Sequence, residues 1–259
     1  MNSDDVLATI QQRVSYLRCA VLDDTSDGHG GPDGDGWFRI SELCANPDRL
    51  ESLIRSNGDA RGAADAQVAA SLFVQSFAFR VASVAVAGWA LGLPSTTLDP
   101  DQVAFRITRN RPGELGMWST DVLRHDAISL AAAVVDGLVS PVVAAVRQRI
   151  RVGERVLYGN AASSIATVFR AVQSTGPRGD TEVRDRAVEL FAAHPRLHDL
   201  GTWATIDTGD ALGWFWDRGN CCLWYRSTEA NGRYCDDCSL HDPVERAERR
   251  CSELTASPS

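Results

Sequence analysis

Val68 to Leu93 reads VAASLFVQSFAFRVASVAVAGWALGL and is the most apolar run of the chain. A run of this length meets the size requirement for a membrane span. Gln75 and Arg80 lie near its middle, however, where polar and charged groups are costly in lipid. It therefore reads as a buried helix rather than a membrane span, expected over residues 60–92. On either side the pattern is mainly helical. Val6, Ile10, Val14 and Leu17 recur at helical spacing and predict an amphipathic helix over residues 3–20. A short helix is expected over 41–56. The stripe Leu123, Ala127, Leu130, Val134, Leu138 marks a helix from Asp121 that bends or breaks near Pro141. Two more follow over 153–174 and 181–193.

Strands are fewer. Val103 to Ser119 alternates around an Asn-Arg-Pro-Gly turn, and Thr202 to Arg218 (TWATIDTGDALGWFWDR) reads as two Trp-rich strands. A last helix opens with Asp242 as N-cap, Pro243 at the first position and Glu245 at the third. The fold class is thus α+β, mostly helical, with one or two small sheets. Residues 1–200 are expected to form a mainly helical body, the part that binds substrate. Residues 201–259 are expected to form a C-terminal segment packed on the same domain.

Composition narrows the function. The 259 residues carry a net charge of −8, which argues against nucleic acid as a partner, since phosphate binding needs a basic face. All 26 basic residues are Arg. Without lysine there is no Walker A phosphate grip and no Schiff-base chemistry. The N-terminus MNSDDVLATIQQRV lacks a basic start and an apolar signal core. A cytoplasmic protein with no transmembrane segment is expected. In that reducing setting clustered cysteines are more often metal ligands or redox groups than disulfides.

Four of the seven cysteines fall within NCCLWYRSTEANGRYCDDCSL, Asn220 to Leu240. Cys221 and Cys222 are adjacent; Cys235 and Cys238 form a Cys-x-x-Cys pair after a spacer of twelve residues. Four thiolates can hold tetrahedral zinc or a [2Fe–2S] cluster. Zinc ribbons generally use two Cys-x(2–4)-Cys knuckles, and only Cys235–Cys238 has that form. Adjacent cysteines suit one end of a wider two-iron cluster better than one small ion. The pattern alone leaves the cluster, zinc, and disulfides or free thiols all open.

The stretch CCLWYR…GRYCDDC resembles the C-terminal signature of the FhuF-type ferric-siderophore reductases, Cys-Cys followed after ten or more residues by Cys-x-x-Cys. Leu157 to Ala162 (LYGNAA) is similar to an LWGN-A segment of the same family. The likeness covers about the last 110 residues by motif. It implies a cytoplasmic one-electron oxidoreductase in iron acquisition, whose [2Fe–2S] cluster is bound by Cys221, Cys222, Cys235 and Cys238. The cluster itself would then be the catalytic group. The implied substrate is an Fe(III)–siderophore, and a hydroxamate type suits an acidic protein. Trp216, Trp224 and Arg226 are the candidate substrate contacts. No nicotinamide or flavin motif is present, so a partner such as a ferredoxin or flavoprotein reductase must supply electrons. Asp236 and Asp237 should disfavour the added negative charge and lower the potential, while Arg218, Arg226 and Arg233 act oppositely.

Other signals are weaker. Gly31 to Glu42 follows an EF-hand spacing through Asp33, Asp35, Gly36 and Glu42, but Gly31 replaces the first ligand and Arg39 the ninth, so a plain loop is expected. His194 and His198 are interrupted by Pro195 and read as a helix end. Cys19, Cys44 and Cys251 read as inert thiols, and Arg80 as a paired core arginine. Arg106, Arg109 and Arg111 read as a solvated face. The rival functions are a non-catalytic [2Fe–2S] electron carrier or redox sensor, a zinc-stabilised interaction module, and a domain of siderophore biosynthesis like that of the aerobactin-type synthetases.

Overall fold

The apolar run forms a helix over Ala66–Ala90, and 18 of its 25 residues are buried. A helix that is apolar all round is stable in water only when other elements cover it. The rest of the chain does this in the computed structural model, which describes residues 3–14, 17, 19–23, 36–96, 98–108, 111–118, 121–175 and 181–256.

In chain order the elements begin with α1 (Ser3–Arg13), β1 (Cys19–Val21), β2 (Gly36–Arg39), α2 (Ile40–Ala45), α3 (Pro47–Arg61) and the central helix, α4 (Ala66–Ala90). Four short strands follow: β3 (Ser95–Thr96), β4 (Val103–Thr108), β5 (Arg111–Met117) and β6 (Val122–Leu123). Next come α5 (Ala127–Ala132), a π-helical stretch (Ala133–Val139), α6 (Ser140–Arg149), α7 (Glu154–Ser174), α8 (Glu182–Ala192) and α9 (Pro195–His198). The chain then forms β7 (Gly201–Asp207), β8 (Leu212–Arg218), two short 3₁₀ turns and α10 (Pro243–Ala256). The fold is α+β and mostly helical.

Helix α4 packs most extensively on α7 and then on α3. A four-stranded sheet in the order β1-β5-β4-β2 covers another side, with β1 parallel to β5 and the other pairs antiparallel. Phe105 of that sheet meets Phe77 and Phe73 of α4 edge-on, with ring centroids 5.4 and 6.4 Å away. Two-stranded pairs β3–β6 and β7–β8 complete the sheets. By length and composition alone, Ala66–Ala90 and Ala127–Arg149 are apolar enough to cross a membrane. In the first, 78% of the most apolar window is buried inside the protein, as in a core helix, and in the second 50%.

Several boundaries differ from the sequence expectation, each for a local reason. The first helix stops at Arg13, because Cys19–Val21 leaves the helical pattern to pair with the edge of β5. The expected helix over 41–56 is two helices. Pro47 cannot continue α2, and the Asn46 side chain accepts from the Arg49 N–H to cap α3. Helix α4 starts at Ala66 rather than 60. Gly62 ends α3 in the left-handed region at φ 61°, and the Asp65 side chain caps the new helix by accepting from Val68 N–H at 3.0 Å. Asp121 does not begin the next helix; Asp126 does, through a capping box with Ser129. The break near Pro141 takes the form of the π stretch just before it. Proline has no N–H for the carbonyl four residues back, and Ser140 N–H bonds instead to Val135 O, five residues back. Strand β5 already includes Arg111 to Gly113 of the expected Asn-Arg-Pro-Gly turn, while Arg109 and Asn110 lie outside the described residues.

The last helix is clamped to β8 by charge. Asp217 accepts from Arg246 Nη1 at 2.7 Å and from Arg250, whose side chain is almost fully buried. Burial opposes ionisation of Asp217, but hydrogen bonds from Arg250 and then Arg246 outweigh it and hold the carboxyl below its usual range. A folded-state pKa below the unfolded value stabilises the protein above about pH 4, and that stability is lost as the pH falls through the folded value. Asp217→Asn is therefore expected to cost about 2 kcal/mol at pH 7. The difference from the parent protein should vanish in acid when unfolding is followed across pH.

Candidate metal centre

At the end of β8 the chain turns through Gly219, whose N–H bonds to Leu200 O at 2.7 Å, and Asn220 into the cysteine segment. Leu223 sits in the left-handed region at φ 65°, an uncommon state for a branched residue. That twist turns two successive amides onto sulfur: Leu223 N–H to Cys221 Sγ at 3.3 Å and Trp224 N–H to Cys222 Sγ at 3.5 Å. The second pair repeats the pattern. Cys238 N–H bonds to Cys235 O at 3.0 Å, closing a tight turn, and Leu240 N–H points at Cys238 Sγ at 3.5 Å. Asn231 at φ 48° and Gly232 at φ 75° reverse the chain between the pairs.

The turns bring all four thiols together. Cys222 Sγ and Cys235 Sγ are 3.5 Å apart, and Cys221 interacts with both Cys222 and Cys238. Cys222 and Cys238 are buried, while Cys221 and Cys235 are partly exposed. Cys222 is the acidic member, its pKa pushed well below the ordinary thiol value. Hydrogen bonds from the Cys221 and Cys235 thiols are the main cause, with Arg218 nearby. Cys221 and Cys235 shift upward, because each holds a proton against the Cys222 sulfur. The isolated thiols behave differently: burial raises Cys19 to about 12 and Cys44 to about 11, so both are inert.

Two thiolates on one tetrahedral metal at a metal–sulfur distance of about 2.3 Å lie about 3.8 Å apart. The Cys222–Cys235 spacing fits that. Amide donors aimed at the sulfurs are the contacts that stabilise thiolate bound to metal. The donor set and its surroundings therefore fit a sulfur-ligated metal group, although among the described residues no three His, Cys, Asp or Glu side chains are arranged to enclose a single ion.

Beneath the sulfurs lies a polar floor that the sequence did not announce. Asn160 of α7 is fully buried; its Nδ2 donates to Ser71 O at 2.8 Å and Ser71 Oγ at 2.7 Å. Ser71 Oγ in turn donates to Cys222 O at 2.7 Å. Arg218 donates to Asn160 Oδ1 at 3.2 Å, to Asp237 Oδ2 at 2.8 Å and to Ser163, which also bonds Asp237. Gly159 has no side chain because Asn220 occupies the space: a Cβ there would lie 1.7 Å from Asn220 Oδ1. The LYGNAA stretch was the one visible signal of this floor. Ser71 and Ser163 gave none.

Above the sulfurs opens a cleft of about 750 Å³, lined by Cys222, Cys235, Trp224, Tyr234, Arg233 and His241 among others. Of the three expected substrate contacts, Trp224 lines this cleft, with its Nε1–H on Glu229 at 3.2 Å. Trp216 is buried away from it, packed 4.5 Å from Phe191 and 5.1 Å from Trp203. Arg226 faces the start of α4, paired with Asp65 at 2.5 Å. Asp237 is neutralised by Arg218, whereas Asp236 stands on the cleft wall.

The weaker signals settle as packing or surface. Trp203, Trp214 and Trp216 form an aromatic cluster with Phe191. His194 caps α9 and pairs with Asp136. Arg80 bonds Pro112 O at 3.2 Å, and Arg106 pairs with Glu114 on an open face. In the EF-hand-like stretch, Gly31, Asp33 and Asp35 lie outside the described residues. No protein-family description matches the chain, and no curated protein does so.

Gly159→Ala forces Asn220, and with it the Cys221–Cys222 turn, off α7. It is expected to cost about 1–3 kcal/mol and to lower metal uptake. Gly137→Ala, where the nearest atom to an added Cβ is 3.9 Å away, should do neither. Thermal unfolding and metal content of the two variants make the comparison.

Proposed function

We propose that the chain is a cytoplasmic ferric-siderophore reductase carrying a [2Fe–2S] cluster on Cys221, Cys222, Cys235 and Cys238, as its resemblance to the FhuF-type reductases implies. The observation that carries the reading is the convergence of the two cysteine pairs, with Cys222 and Cys235 in contact on the wall of an open cleft. Such a cluster, when bound, passes one electron at a time at a potential set by its surroundings.

The chain's own residues do the rest. The cleft brings a ferric complex against Cys222 and Cys235 without requiring any side chain to bond iron. Trp224 and Tyr234 offer flat apolar surface to the organic part of the ligand. Arg233 and Arg249, on the same wall, face its oxygens. One electron converts substrate Fe(III) to Fe(II), a softer and less charged ion that hard oxygen ligands hold less well, so the siderophore leaves chemically unchanged. The electron originates in a protein donor, such as a ferredoxin or flavoprotein reductase. Exposed Tyr225, Tyr234, Leu240 and Val244 border the cysteine segment and give such a donor an apolar face to meet.

Purification without oxygen tests the reading. The expected product is a red-brown protein with about two irons and two sulfides per chain, which gives a spin-half signal after dithionite. The reduced protein should be reoxidised by ferric siderophores, and Cys235→Ser should lose both colour and reoxidation. A colourless zinc protein, even after cluster reconstitution, overturns the proposal in favour of a zinc-stabilised module. A red-brown protein that no ferric siderophore reoxidises leaves an electron carrier or sensor.

A further inference from the structure

Arg218 stands apart from the other arginines near the cysteines. Its side chain has no solvent exposure, a state that is stable for a guanidinium only when it is paired and fully hydrogen-bonded. Among the described residues its carboxylate partner is Asp237, which lies between Cys235 and Cys238 and is itself 28% exposed. The remaining donors go to neutral groups, Asn160 Oδ1 and Ser163. The sulfurs close enough for its charge to act on are Cys222 and Cys235. The guanidinium is thus shared between one acid and two sulfurs, inside the protein where charge is poorly screened. Arg226 pairs with Asp65, and Arg246 and Arg250 share Asp217.

We propose that Arg218 is the positioning residue of the four-cysteine centre: it fixes the Cys235–Cys238 turn to α7 through Asp237 and supplies the buried positive charge that balances the sulfurs. The assignment rests on the metal-centre reading above. It makes Arg218 and Asp237 opposite in effect although they are bonded to one another. Reduction adds one negative charge to the centre, so loss of the cation should lower the midpoint potential and loss of the anion should raise it. A merely structural pair behaves otherwise, since breaking it from either side loosens the same turn and moves both variants the same way. Lysine separates charge from shape, because it keeps the cation and loses the planar fork.

The experiment is a redox titration of the anaerobically purified full chain, read in the visible spectrum, on the parent and on Arg218→Gln, Arg218→Lys and Asp237→Asn. The expected result is at least a tenfold change in the reduction equilibrium, 59 mV for one electron: downward for Arg218→Gln and upward for Asp237→Asn. Arg218→Lys should stay near the parent potential but unfold at lower temperature. Shifts of the same sign, or none, overturn the proposal. Co(II) titration of the metal-free chain gives a second readout that does not need a cluster. A four-thiolate Co(II) centre carries two negative charges, so Arg218→Gln should bind at least tenfold more weakly and Asp237→Asn more tightly. If Arg218→Gln does not fold, the lysine and asparagine variants decide. A parent that binds Co(II) but never holds a cluster removes the reductase reading and leaves Arg218 judged on Co(II) affinity. Equal affinity of Arg218→Gln and parent overturns the assignment, and a parent that binds neither overturns both.

Discussion

A buried serine and a buried asparagine hold the two longest helices together at one point, and the cysteine segment hangs from that point. Asn160 on α7 gives both hydrogens of its amide to Ser71 on α4, and Ser71 passes its own to the carbonyl of Cys222. Polar atoms at a helix interface are expensive unless every one is satisfied. Here, among the described residues, Cys222 O of the cysteine segment and Arg218 at the end of β8 complete the set. Helix packing and the placement of the sulfurs are therefore one constraint rather than two.

This coupling explains which parts of the protein could be read from its sequence. Helix α4 was legible because its apolar run was long, and α7, α8 and α10 because each shows period, cap or both. The chain breaks at Asn46–Pro47 and Gly62 were not taken up, though their cap chemistry was present, because the apolar pattern ran on across them. Strand β1 was illegible for a deeper reason: Cys19–Val21 carries helical spacing from Val14 and Leu17, and only the free edge of β5 makes it a strand. At the site, the four cysteines were visible as a pattern and Trp224 as a nearby aromatic. The floor was not, because serine and asparagine inside apolar helices look the same whether they face one another or solvent. Trp216 shows the reverse error. A tryptophan close in sequence to the cysteine segment packs against Phe191 and Trp203 instead of lining the cleft.

Charge around the centre follows the same lesson. Counted along the sequence, Asp236 and Asp237 are equal, and Arg218, Arg226 and Arg233 are equal. In three dimensions they differ. Asp237 and Arg226 are each half of an ion pair, Arg233 lies over the Trp224 ring at 5.9 Å, and Asp236 faces the cleft. What the sulfurs meet is set by burial: a fixed cation below them, and an open wall of mixed charge above.

The left-handed backbone of Leu223 has a consequence for how the site is filled. A branched residue held there stores roughly 1–2 kcal/mol of strain, offset by the Gly62–Thr228, Ser71–Cys222 and Gly219–Leu200 bonds that fix the segment on either side. The ordering entropy of the loop is thereby spent during folding rather than on ligand capture. A metal bound at the proposed centre would meet amides and sulfurs already preorganised, and its binding energy would go into affinity instead of shaping the loop.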